Sequence, residues 1–577
     1  MSRPRASGPG ATWVRLSRAL ALGLVLAAAL AAPATAQTLP TESSLPIGTL
    51  PKPTVAAPVD PNALTRPTDL DKTPVGHRLT PNQALKIAAR VPRIADMLTR
   101  HRGYTAEAYE KGISRWQVSY FDPVIGTRPP KPRKEIGQVL IDDATGAVVE
   151  AWTGFQVAWT MARGYPGAFG RSVTSEWIWI ALSILFVIPF VNPRRWRSWL
   201  HLDLIAFSTF SVSLAFFNHA EIGLSVPLVY PPLVYLLIRG ITMAVRRGPV
   251  DPARLLVPTT WLAVATVFLL GFRIGLNATN SNVIDVGYAG VIGADLMAKG
   301  KPIYGHFPSD NDHGDTYGPV VYETYVPFEQ VWPWTSHRWD DLPSAHVAAV
   351  FFDLLCVLLL FLLGRMARGP DLGIALAYAW TAYPFTVFTS NSNSNDALTA
   401  ALVLLCVLCA GRPLLRGGAT ALAGLTKFAP LALAPVLATH GLTGPHPPRR
   451  ARGLLLYIAG FAVVAAIVMI PVFLHDSLHD FYDRTVGFQA GRGSPFSPWG
   501  FRGWTTAQNI VQALAVLLAV GLAFVPRRQD IAGLAAACAA VLIGLQLGVT
   551  HWFYLYIPWF FGLLMLAALG RAPLSRS

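Results

Sequence analysis

Three ionisable residues stand out, two of them in or near a long apolar run and the third in a polar loop. Asp285 falls ten residues past an apolar block near 256–275, in the segment "NVIDVGYAGVIGADLMAKGKPIYG". There Val286, Ala289, Ile292, Gly293 and Leu296 form one side of an amphipathic helix suited to a membrane surface. A carboxylate at that helix's start can take a proton from a hydroxyl, or it can simply cap the helix. Lys427 lies in the apolar block 417–438, which Gly417, Gly418, Gly424, Pro430 and Pro435 interrupt. An ammonium at membrane depth is costly and points to function by default; snorkelling or a structural partner is the plainer alternative. Arg492 lies in the polar stretch "FYDRTVGFQAGRGSPFSPWG".

Asn395 and Asp396 open a later apolar block, where they can bind hydroxyl groups or cap a helix. His551 precedes the last block together with Trp552 and Tyr554, whose rings an aromatic belt already explains. The run "SDNDHGDTYG" offers Asp310, Asp312, His313 and Asp315 as permissive ligand types for a divalent cation, although a solvated loop gives the same composition. No metal ligand is assigned and no cofactor is implied with certainty; a divalent cation stays open. Cys356, Cys406, Cys409 and Cys538 all fall inside apolar blocks, which leaves no cysteine for a disulfide framework or zinc site in aqueous parts.

The elements that must position these residues follow from hydropathy. Of 577 residues, 53% are hydrophobic and only 14% charged, and mean hydropathy is +0.41. The apolar residues cluster into blocks long enough for a hydrocarbon layer of roughly 30 Å, which predicts an α-helical polytopic membrane protein. The formal charge of +15 does not argue for nucleic acid, because most Arg sits in short loops between blocks and reads as a topology signal.

Spans are expected near 177–191, 200–217, 222–239, 256–275, 344–364, 371–389, 396–411, 453–474, 506–525, 531–549 and 552–570. Arg-rich loops after these blocks, from Arg194 and Arg195 to Arg571 and Arg576, are expected in the cytoplasm. Arg412 and Arg416 before the block 417–438, and Arg449, Arg450 and Arg452 after it, cannot both be inside if that block crosses once. A broken element that rises and returns, with Lys427 near the bend, resolves the conflict. Eleven full spans plus this hairpin place the C-terminus in the cytoplasm and the acidic loop 276–343 outside.

Residues 1–36 read as a secretory signal: Arg3, Arg5, Arg15 and Arg18, an apolar run Ala19–Ala32, then Ala34-Thr35-Ala36. Residues 37–75 read as a flexible linker. Across 76–165 the pattern is a helix from Thr80-Pro81 with a break at Pro92, a strand at 116–120, and a hairpin over 135–152 turning at Asp142–Gly146. With "VLIDDATGAVVEAWTG" this stretch resembles the PepSY domain, implying a small extracytoplasmic α+β module that binds or regulates.

From 176 to 570 the order of four segments resembles GT-C-type glycosyltransferases, and glycosyltransferase family 87 in particular. They are the Asp285 helix ending in "KGKPIYG", then "DTYGPVVYETYVPFE", "NSNSNDALTAALVLL" and "AGLTKFAPLALAPVL", followed by the Arg492 loop. The resemblance implies a sugar (mannose or pentose-like) moved from a polyprenyl-phosphate donor to a cell-envelope glycan or glycolipid on the extracytoplasmic face of the plasma membrane, with inversion. It implies Asp285 as general base. Lys427 and Arg492 are expected at the donor phosphate, and Tyr288, Tyr304, Tyr317, Asn395, Asp396 and His551 are expected to bind substrate. A transporter or flippase of lipid-linked saccharides and a non-enzymatic envelope sensor are the rival readings. Against a transporter, no inverted repeat is visible.

Overall fold

The computed structural model describes residues 63–123, 133–164, 169–193, 197–246, 255–335, 342–441, 447–525 and 528–570. The expected signal segment 1–36, most of the expected linker, and Arg194, Arg195, Arg571 and Arg576 lie outside the described residues. The chain forms two compact units, one within Pro33–Tyr165 and the other comprising nearly all of the chain from Pro166 onward.

The first unit is an antiparallel sheet in sequential order: β1 (Leu64–Thr65), β2 (Thr105–Lys111), β3 (Arg115–Phe121), β4 (Glu135–Asp142) and β5 (Val148–Thr153). Two helices, Pro81–Ala89 and Pro92–Arg100, cover one face. Thr80 and Gln83 close a capping box at the first, and Pro92 starts the second, so the break expected there is real. Ala84, Ala88, Ile94 and Met97 pack on Trp116, Val118, Tyr120, Val139 and Ile141. The Asp143 carboxylate accepts from the Trp116 indole (2.8 Å) and from the backbone of Arg78 (2.7 Å) and Leu79 (3.1 Å), tying the turn to the chain entering the first helix. The strands expected at 116–120 and over 135–152 form, although 116–120 is buried on both faces rather than on one. β2, with the sequence TAEAYEK, carries too few apolar residues to read as a strand from sequence.

The second unit is helical. Among the described residues, seven helices are long and apolar enough to cross a membrane: Trp199–Asn218, Ile222–Val245, Thr259–Thr279, Pro343–Arg368, Ala451–Val468, Thr505–Phe524 and Ile531–Gly548. Outer faces carry exposed Ile205, Trp261, Phe268, Leu514, Leu517 and Phe524, side chains that hydrocarbon solvates and water does not. Shorter apolar helices occupy other blocks, including Glu176–Phe190, Asp396–Leu408 and Pro558–Leu569.

The block expected as one helix over 371–389 is instead two, Pro370–Ala382 and Pro384–Asn391. Pro384 has no N–H to give the Trp380 carbonyl. That carbonyl accepts instead from Arg273 Nη1 (2.9 Å) and Thr386 Oγ1 (2.5 Å). Arg273, itself buried, also bonds the Thr381 carbonyl (3.1 Å) and pairs with Asp353. Asp203 pairs likewise with Arg239 at 2.9 Å and accepts from Tyr235 at 2.8 Å. Both acids thus face inward and are neutralised, as charge within spans requires.

The block 417–438 is broken: a helix Pro413–Lys427, a 3₁₀ turn Ala429–Leu433 and a short helix Ala434–Ala438. Phe428 sits at the break with φ +55. Arg416 Nη2 donates to the carbonyl of His440 at 3.1 Å, so the element's beginning and end lie side by side.

Candidate active site

Asp285 is the first residue of the helix Asp285–Ala298. It follows a stretch, 280–284, that is sewn to the turn at 390–395. Asn282 N donates to the Asn391 carbonyl and Ile284 N to the Ser392 carbonyl, both at 3.2 Å. Gly287, one turn into the helix, lies so close to this turn that a Cβ there would meet the Asn393 carbonyl oxygen at 2.1 Å. On the far side, Asn311 Nδ2 donates to the Asp285 carbonyl at 3.1 Å.

Asp285 itself is exposed, yet protein crowds around it. A carboxyl in that condition lines a recess. The crowding pushes it above the usual carboxylate range, opposed by the Val286 N–H and by the positive charges of Arg492 and Lys427; Asp396 adds to the rise. The same charges reach other side chains. Arg492 and Lys427 act on His551, whose crowding holds it well below the ordinary imidazole value and therefore neutral. Asp285, Asp396 and Arg492 act on both Tyr317 and Tyr556. These groups, drawn from six separated stretches of chain, share one electrostatic neighbourhood.

Lys427 is the last residue of its helix, where a cation complements the helix dipole. Its Nζ lies 2.6 Å from Asp396 Oδ1, with both side chains almost fully buried. Trp559 Nε1 donates to the same oxygen at 3.0 Å. Three rings surround the ammonium, with centroids at 5.2 Å (Tyr317), 5.5 Å (Trp559) and 5.8 Å (Tyr556). The helix end is fixed in turn by the Gly318 N–H, which donates to the Thr426 carbonyl at 3.0 Å. A Cβ on Gly318 would lie 1.9 Å from the Leu425 carbonyl oxygen, so only glycine allows this approach. Lys427 thus has the structural partner that the sequence left open, and presents to the recess a buried ion pair rather than a lone cation.

Arg492 leaves the short helix Phe488–Gly491 and lies over the Phe488 ring at 5.8 Å. His551 Nδ1 meets Ser494 Oγ at 3.0 Å, which ties the Arg492 loop to the entry of the last helix.

Of the residues singled out from sequence, Asp285, Lys427, Arg492, Tyr317, Asp396 and His551 come together. Asn395 is fully buried beside Asp396, and both its amide atoms lack a hydrogen-bond partner. Tyr288 and Tyr304 are buried away from solvent. The Tyr288 hydroxyl donates to Asp310 (3.2 Å) and that of Tyr304 to the Tyr317 carbonyl (3.1 Å), so both brace the loop. The acidic run is likewise engaged: Asp315 accepts from Gly305 N (2.6 Å) and from Arg484 (3.1 Å), and Asp312 lies 3.4 Å from Arg484. Among the described residues no group of three His, Cys, Asp or Glu side chains is arranged to hold a metal ion.

Sequence reasoning missed Tyr556 and Trp559, whose signal in "HWFYLYIPWF" reads as an interface belt. Nothing in the sequence sets Glu323 apart from the other acids of the loop 276–343. Glu323 is half-buried, and that burial pushes its carboxyl up to about 7.

Chemically the recess offers a hard-to-ionise carboxylate facing fixed cations, with aromatic and neutral imidazole walls. This can deprotonate a hydroxyl and receive an anionic leaving group. No curated protein matches the chain. Residues 316–569 match the model for Glycosyltransferase family 87, which supports a membrane glycosyltransferase and takes in Lys427, Arg492, Asp396 and His551, though not Asp285.

Proposed function

We propose that this protein transfers a sugar from a polyprenyl-phosphate donor to a hydroxyl of a cell-envelope glycan or glycolipid, on the extracytoplasmic side of the membrane. The observation that carries this reading is the convergence of Asp285 with Arg492 and the Lys427–Asp396 pair on one recess. In the reaction, the Asp285 carboxylate takes the proton of the acceptor hydroxyl. The acceptor oxygen bonds the anomeric carbon from the face opposite the leaving group, the carbon–oxygen bond to phosphate breaks, and its electron pair stays on the phosphate. Inversion follows from that geometry. Arg492 supplies positive charge toward the departing phosphate, while Asp396 balances Lys427. Lys427 then supplies a directed N–H rather than net charge.

A lipid-borne donor suits a protein whose outer helix faces carry exposed apolar side chains such as Trp261, Phe268, Leu514 and Phe524. The test is transfer by purified protein in nanodiscs, given radiolabelled polyprenyl-phosphate mannose or arabinose and an envelope glycolipid extract. Label moving to the glycolipid, with free polyprenyl phosphate appearing in equal amount, supports the reading. Label crossing a liposome membrane still attached to its lipid would establish a flippase instead.

A further inference from the structure

The turn 391–396 does more than support the approach to Asp285. Its hydrogen bonds give it a larger part. Asn393 has φ +49, the left-handed region that asparagine tolerates better than most residues. All of its side chain's polar atoms are engaged, and all toward the strand of chain that delivers Asp285. Its Nδ2 donates to Ser281 Oγ (3.0 Å) and to the Asn282 carbonyl (2.9 Å), and its Oδ1 accepts from Asn277 Nδ2 (2.8 Å). Its backbone carbonyl is the atom that the missing Cβ of Gly287 makes room for. Asn391 and Ser392 hold 282 and 284 through their carbonyls. Three residues after Asn393, the same chain supplies Asp396 to Lys427.

We infer that Asn393 is a positioning residue: the buried turn 391–396 is a bracket, setting the distance between the Asp285 carboxyl and the Lys427–Asp396 pair. One rigid stretch of six residues grips the base's approach at one end and the lysine at the other. This turn is fully buried, as are Ser281 and Asn277, so the bracket is shielded from competing water. A base and a leaving-group site held by different helices would drift apart as those helices flex. Here their separation depends on one short turn. The inference rests on the proposed reaction for the meaning of that separation, and on geometry alone for the bracket.

The experiment compares full-length wild type with Asn393→Gly and Gly287→Ala. Glycine keeps the positive φ and removes the whole side chain with its three hydrogen bonds, and alanine pushes the base's helix off the turn. Each is measured for kcat, for donor KM, and for hydrogen exchange of the 281–288 backbone. The expected result is faster exchange confined to 281–288, a kcat reduced about 10- to 100-fold, and a donor KM within about twofold of wild type, since misplacing a reacting group by about 1 Å costs rate on this scale. Unchanged exchange in Asn393→Gly would overturn the bracket. Local loosening with kcat unchanged, or loosening that spreads to Pro413–Lys427 with donor binding lost, would overturn the positioning role. The exchange measurement keeps its meaning if Asp285→Asn retains transfer; that outcome removes the base assignment and leaves the bracket to be judged on its own.

Discussion

At the scale of single residues, Asp285 and Arg492 make opposed demands that pH can separate. As a base, Asp285 must be ionised, so rate should climb with pH through its pKa, which crowding holds above the usual carboxylate range. Arg492 favours the ionised form, so removing its charge raises that pKa further. Arg492→Gln is therefore expected to move the acid limb of the kcat profile to higher pH, losing more activity at the acid end than at the alkaline end. Asp285→Asn should abolish transfer at every pH while leaving donor binding and thermal stability near wild type, because the residue is exposed to the recess. The Lys427–Asp396 pair should behave differently. Removing one partner of a buried pair leaves the other charge uncompensated, a loss of about 3–5 kcal/mol. Asp396→Asn should accordingly lower the melting temperature sharply, and the double variant with Lys427→Met should recover much of it without recovering transfer. Lys427 and Asp285 draw attention in the sequence because each charge lies in or near an apolar run. The Lys427–Asp396 pairing does not, since its partners are 31 residues apart and nothing local encodes their meeting.

At the scale of elements, close helix contact without side chains decides where Lys427 ends up. The helices Pro413–Lys427 and Pro447–Val468 touch through glycine on both sides. A Cβ on Gly417 would lie 1.9 Å from the Tyr457 carbonyl oxygen, and one on Gly460 would lie 2.0 Å from that of Leu414. Small residues at such a contact are what lets helices associate where no hydrophobic force separates lipid from protein. Gly417→Ala should therefore cost stability and displace Lys427, seen as a lowered melting temperature together with lost transfer. Gly271→Ala and Gly275→Ala make the matching control, because nothing stands within 4 Å of a Cβ at either. These should be neutral, or more stable by up to about 1 kcal/mol from helix propensity. Breaks were partly readable: the glycines and prolines of 417–438 announced one, and the structure has it at Lys427–Phe428. The block around Pro384 reads as one apolar helix by hydropathy although the proline marks a break, and the Arg273 that satisfies the freed carbonyl comes from a different helix. Hydropathy sees the solvent of a segment, not the partner of a carbonyl.

At the scale of the whole molecule, the chemistry needs a side. The proposed lipid-linked donor and envelope acceptor require a recess that opens outside the cytoplasm, the orientation that the Arg-rich loops argue for. Cysteine labelling decides the matter with little background, because Cys356, Cys406 and Cys538 are buried and only Cys409 is partly accessible. In a Cys409→Ala background, His313→Cys tests the loop bearing the recess; His313's side chain is 62% exposed, enough for a maleimide to reach. Gly411→Cys tests the opposite end of the helix that Asp396 begins, at an exposed position with open space for a side chain. In intact cells a membrane-impermeant maleimide should modify the cysteine at 313 and spare the one at 411 until the membrane is permeabilised. The reverse pattern would place Asp285 and Arg492 in the cytoplasm, where nucleotide sugars are the available donors, and the lipid-linked donor would have to be abandoned. Labelling of both in intact cells would mean that the chain between them does not cross the membrane an odd number of times, and the broken element's neighbours would need a new count.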